Sequence, residues 1–167
     1  MKKILALLLV AAFAIPTFQS CKKYENGPSI SFRSKASRVA NDWAISSYME
    51  DGVDKTNIHV SDVMTLTKDG GATYKFTDNG ATITMTGNWV FDTKKENITF
   101  TSTYPRNNGG GTTITVTVVE TMKITKLFEK EMWWEGSVTQ TLPTGFSWPG
   151  TTSSVWSYTA ATKFKSK

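Results

Sequence analysis

One cysteine, Cys21, and one histidine, His59, are all that this 167-residue chain holds of those two residue types. A single thiol permits no intramolecular disulfide, so the fold must be held by its core. A lone histidine without a second cysteine excludes the Cys/His ligand sets of zinc sites. No Gly-x-Ser-x-Gly elbow accompanies His59, which removes the usual sequence sign of a nucleophilic triad. Gly109-Gly110-Gly111 is followed by no helical pattern that could offer an N-terminus to phosphate. The formal charge of +5 is not gathered into a dense basic stripe, and part of it sits in the tail Lys163-Phe164-Lys165-Ser166-Lys167. Nucleic acid is therefore not the expected partner. These absences predict a protein that is not an enzyme and carries no metal or cofactor.

Long apolar runs are also scarce, and the one present is at the start. Lys2 and Lys3 precede residues 4–15, all apolar, after which Pro16 breaks the segment. The run falls short of the roughly 20 residues of a membrane-spanning helix and has the layout of a signal peptide. Ser20 and Cys21 follow it. In this the chain resembles bacterial lipoprotein precursors, and the resemblance implies cleavage before Cys21 and lipidation of its thiol. Two or three acyl chains, at about 0.8 kcal/mol per buried methylene, would anchor the protein durably. The expected organisation is a cleaved leader over residues 1–20, a lipidated tether over 21–28 and one domain over 29–167. Loss of Lys2 and Lys3 lowers the charge to +3. Lys22 stands where enteric inner-membrane lipoproteins carry aspartate, so the expected site is the outer membrane, on its periplasmic side or at the cell surface. The tether resembles those of surface lipoproteins of Bacteroidetes-type bacteria.

Beyond the tether, apolar and polar residues alternate with period two. Met64 and Leu66, Tyr74 and Phe76, Ile83 and Met85, Trp89 and Phe91, and Ile98 and Phe100 share one phase. Ile114, Val116 and Val118, then Met122 and Ile124, Met132 and Trp134, and Trp156 and Tyr158 continue it. Such strands put one face in a core and the other in water. The wet phase is rich in threonine, whose β-branch favours strands while its hydroxyl tolerates solvent. Asp51-Gly52, Asp69-Gly70-Gly71 and Asp78-Asn79-Gly80 supply hairpin turns, and residues 92–97 and 107–111 longer links. No segment is long enough for a crossover helix, which excludes a parallel sheet. The pattern predicts an all-β fold. It is an antiparallel up-and-down meander of about eight strands closing into a barrel, with a short helical turn at residues 34–40.

The residues opening this meander resemble a family. In Asn41-Asp42-Trp43 a small polar residue stands two before a tryptophan. Thr86-Gly87-Asn88-Trp89 carries a Gly-x-Trp strand, and Met122 to Leu127 with Met132-Trp133-Trp134 forms a late aromatic hairpin. Together they resemble the lipocalin-like domains of bacterial envelope lipoproteins. The resemblance implies a small barrel with an apolar cavity, and fixes no ligand.

Six tryptophans and nine phenylalanines decide between two functions. Trp43, Trp89 and Trp134 lie on the core phase and read first as packing. Trp133 neighbours Trp134, so one of the pair must face outward unless a bulge intervenes. Phe146-Ser147-Trp148-Pro149-Gly150 sits in a long loop that either lines a binding face over the barrel mouth or plugs it. If the barrel is open, it holds a small apolar or amphiphilic ligand, and Tyr74, Trp89, Phe100, Trp134, Phe146 and Trp148 are the candidate contacts. If it is filled, it is an interaction module, presenting Trp133, Trp148 and Trp156 to an envelope protein, glycan or host partner. Glu129, Glu131 and Glu135, interleaved with Lys126 and Lys130, read as a charge-paired surface.

Overall fold

A computed structural model describes residues 32–78, 80–107 and 111–167. The leader, Cys21, the tether and Asn79 of the third turn lie outside the described residues, as do residues 108–110 of the glycine-rich link. The elements in chain order are α1 (Lys35–Val39), β1 (Asp42–Glu50), β2 (Val53–Asp54), α2 (Thr56–His59), β3 (Val63–Leu66) and β4 (Gly71–Asp78). There follow β5 (Ala81–Phe91), β6 (Asn97–Asn107), β7 (Thr113–Leu127), β8 (Glu131–Thr141) and β9 (Val155–Ser166).

Each strand from β3 to β9 pairs antiparallel with the next, and β1 pairs with both β3 and β9. The β1–β9 ladder, from Trp43↔Ser166 to Glu50↔Ala160, closes eight strands into a barrel with β2 as an added hairpin arm on β1. Closure pairs the backbone groups that an open sheet would leave at its edges. The turns work as their residues require: Asp51 and Gly52 take φ of 48° and 80° between β1 and β2, a left-handed pair matched to strand twist.

One end of the barrel is solid. Ser34 caps α1 by accepting a hydrogen bond from the Ser37 amide at 3.1 Å, and the helix sets Val39 over Trp43. The Trp43 indole donates to the Val39 carbonyl at 2.8 Å, and Arg38 Nη1 donates to the Leu127 carbonyl at 3.0 Å. Trp43, Leu127, Met132 and Phe164 are buried there. Their depth explains why α1, only five residues long, is stable: it is held by packing rather than by its own hydrogen bonds.

The glycine of the Gly-x-Trp motif has a physical reason. A Cβ on Gly87 would lie 2.0 Å from the Thr101 carbonyl oxygen, and one on Gly136 2.0 Å from that of Thr121. The neighbouring strand's backbone occupies the space of a side chain at both sites, which lets the sheet bend sharply.

Two details depart from the sequence pattern. A second helical turn, α2, packs against β1 where the β1–β3 ladder is short, running only from Asp42 to Ala44. Four residues of helix carry no period that a pattern search can register. Trp156 shares the inward phase of β9 yet is 48% exposed, because the first residues of that strand extend past the buried part of the barrel.

Candidate functional site

The inward face of β7 reads Ile114, Val116, Val118, Glu120, Met122 and Ile124. Five are buried and apolar, and the sixth is a carboxylate. Strand register sets Glu120 in a row with Phe100 on β6, Val138 on β8 and Tyr158 on β9. A slip of one residue would turn it to solvent along with the rest of the face, so the packing of its neighbours holds it inside.

Glu120 borders a cavity of about 170 Å³. Tyr48, Tyr74, Tyr104 and Tyr158 contribute to its wall, with His59 and Trp134, and no lysine or arginine is among the lining residues. The space exists because β9 presents Ala160 and Thr162 inward between Tyr158 and Phe164. Glu120 is half-buried beside this cavity, and its carboxyl makes no hydrogen bond or ion pair among the described residues. Burial therefore acts unopposed and pushes its pKa up to about 7. Burial also raises the tyrosine hydroxyls above the ordinary phenol range, and the Glu120 charge adds to this at Tyr48, Tyr74 and Tyr158.

A second polar group flanks the cavity. His59, at the end of α2, has Nδ1 2.7 Å from Oδ2 of Asp62, and the Tyr74 hydroxyl donates a short hydrogen bond to the same oxygen. Asp62 is 1% exposed, and its Oδ1 has no partner among the described residues. The Tyr48 ring lies 4.2 Å from the His59 ring, centroid to centroid. α2 thus orients an imidazole on the cavity wall through a buried carboxylate.

Towards the end opposite α1, Gln140 forms a polar layer. The Tyr104 hydroxyl donates to its Oε1 at 3.3 Å, and its Nε2 donates to the Tyr158 hydroxyl at 3.5 Å. Tyr104 and Gln140 also line an outer cleft of about 540 Å³ with Arg106, Trp148 and Trp156. Tyr104 and Gln140 thus line both cleft and cavity.

Of the residues chosen from sequence as ligand contacts, Tyr74 and Trp134 line the cavity, and Phe100 borders a small adjoining void with Glu120. Trp89 does not belong with them. It is buried against Phe91 at 5.2 Å, with its indole bonded to the Thr67 carbonyl at 3.0 Å, nearer the solid end. Phe146 packs against the core from the loop. Trp148 is 6% exposed, too buried for an open partner contact; it plugs the barrel end under Arg106, whose guanidinium lies 4.6 Å from its ring. Trp133 faces outward, as alternation with Trp134 requires, but the ammonium groups of Lys126 and Lys163 cover it at 4.1 and 4.6 Å. Of that set Trp156, 48% exposed, presents a half-open ring. Glu129 and Glu131 pair with Arg33 and Lys126, at 3.7 and 2.8 Å.

Sequence reasoning missed Glu120, although a signal was present. A single charge interrupts an otherwise apolar alternation from Ile114 to Ile124, and a charge on an inward phase is never a neutral choice. No protein-family model, curated protein or solved structure matches this chain.

Proposed function

We propose that this protein is a lipid-anchored binding barrel of the bacterial envelope that holds one compact small molecule in its interior. The observation that carries the reading is Glu120: a half-buried carboxyl turned into a cavity, without a partner among the described residues. Evicting such a group from water costs kilocalories unless something compensates, and a ligand supplies the compensation. The volume limits the ligand. A cavity of about 150 Å³ accepts benzene, so about 170 Å³ suits a molecule of that order rather than a fatty acid or sterol. The Gln140 layer and the outer cleft supply a route of entry. Tethering at Cys21, supported by the leader that precedes it, would hold the barrel at the outer membrane.

A second reading, an interaction module, draws on the half-open ring of Trp156 beside the cleft, and would use that rim to meet an envelope protein, glycan or host partner.

Mass spectrometry of the protein isolated from its own membrane tests both halves of the main reading. Denatured, it should show a chain beginning at Cys21 with acyl groups attached; under native conditions it should carry a small noncovalent adduct. A full-length unacylated mass would overturn the anchor. An adduct-free native spectrum whose partner capture is lost on Trp156→Ala would favour the interaction module.

A further inference from the structure

The charge and chemistry of the cavity wall narrow the ligand class, on the footing that the cavity is a binding site. Three features bear on it. First, Glu120 is an acceptor without a donor, and no lysine or arginine of the lining reaches in to neutralise it. The Nδ1 of His59 is taken by Asp62 at 2.7 Å, and no hydrogen bond joins His59 to Glu120 among the described residues. Asp62 lies behind the wall, its Oδ2 held by His59 and Tyr74, so Glu120 is the one carboxylate among the lining residues.

Second, aromatic rings make up much of the rest of the wall. Tyr74 stacks on Phe76 at 5.7 Å, and Phe76 meets Tyr104 edge-on at 6.0 Å, giving a continuous band of rings. Tyr48, Tyr158 and Trp134 extend it. Aromatic faces carry negative electrostatic potential and attract a cation, most strongly where water is excluded. Trp134 lines the cavity at 2% exposure, and its unpaired indole N–H is a donor that a ligand's carbon body, not its charge, would face.

Third, the acidic groups are too few and too scattered for a metal ion. No three His, Cys, Asp or Glu side chains are grouped for ligation among the described residues. A hard divalent ion asks for about six oxygens, whereas an organic ammonium needs one carboxylate and a cage of rings.

We infer that the ligand is a compact organic cation, an amine or quaternary ammonium of roughly six to ten non-hydrogen atoms, with its charge against Glu120 and its carbon body among the tyrosine rings. The half-buried carboxyl then gains the counter-charge that the cavity wall withholds. Because the empty site keeps Glu120 protonated up to about pH 7, binding below that pH must release a proton. The other titratable groups facing it are Tyr48, Tyr74, Tyr104 and Tyr158, whose hydroxyls stay neutral in this range, and His59 with Asp62 behind it.

The test compares benzylamine with its neutral isostere benzyl alcohol by calorimetry on the full chain. At about pH 8 benzylamine should bind on the order of 10–100-fold tighter, the ratio expected of a charge-assisted contact. Glu120→Gln, which keeps the shape, should abolish that preference. At about pH 6, buffers of different ionisation enthalpy should report close to one proton released per benzylamine by the wild type and none by the variant. Tyr158→Phe, which keeps the ring, should retain the preference. Equal or tighter binding of benzyl alcohol would overturn the cation inference and leave the binding site standing. Binding of neither would overturn both.

Discussion

Glu120→Gln will leave stability unchanged near pH 4.5 and raise it by roughly 2–3 kcal/mol above pH 7, in the absence of ligand. The folded-state pKa of about 7 lies above the ordinary 4.5, so the unfolded chain gives up its proton first as pH rises. Below 4.5 both states are protonated and burial carries no ionic penalty. Between the two values the unfolded state gains stability by ionising, and above 7 the penalty is complete. A tenfold difference in proton affinity between the folded and unfolded chains is equivalent to about 1.4 kcal/mol, and residual water in the cavity reduces the total. Glutamine cannot ionise, so the variant lacks this loss. Urea unfolding of both proteins from about pH 4.5 to 8.5 reads the difference directly, because every other titrating group cancels between them. Parallel pH profiles would show that Glu120 is solvated and ionised as in an unfolded chain.

Ala160→Leu should remove binding altogether, by roughly 100-fold or more, while leaving the thermal midpoint unchanged or higher. Ala160 is 4% exposed and faces the cavity from β9 between Tyr158 and Thr162. Three added carbons occupy space that is now empty, and filling a void restores the contacts its lining lacks. A substitution in a filled core behaves oppositely, since overpacking costs about 1–3 kcal/mol. Benzylamine calorimetry and a thermal melt on the same sample separate the cases. Retained binding would place the ligand elsewhere, and a midpoint lowered by several degrees would show that the interior around Ala160 is already full.

Much of the barrel was legible because its sequence alternates so regularly. Met64, Leu66, Met85, Phe100 and Met132 are buried as their phase requires, and the Asp-Gly turns fall where the strands end. Closure was not legible: the β1–β9 ladder joins Trp43 to Ser166 across nearly the whole described chain, and strand number alone argued for it. The site was harder still. Aromatic size drew attention to Trp89, Phe146 and Trp148, yet a large ring on an inward phase marks filled space as readily as a pocket. The cavity lies instead where β9 turns alanine and threonine inward, and small residues leave no mark in a hydrophobic pattern. His59 looked solitary although Asp62 stands three residues on, because Tyr74, from β4, bonds the same Asp62 oxygen only once the chain has folded. Glu120 was the exception, visible in sequence as a charge out of place among Ile114, Val116, Val118 and Met122.

Methionine-methyl NMR tests the central claim, that the barrel interior is a small-molecule site. Met64, Met85 and Met122 line the cavity, whereas Met132 is fully buried without lining it. Titrating benzylamine into methyl-labelled protein should shift the three cavity methyls together, with one saturating midpoint, and leave Met132 in place. Methyls at Met64, Met85 and Met122 that stay fixed at saturating benzylamine would contradict the account and return the barrel to a solid scaffold.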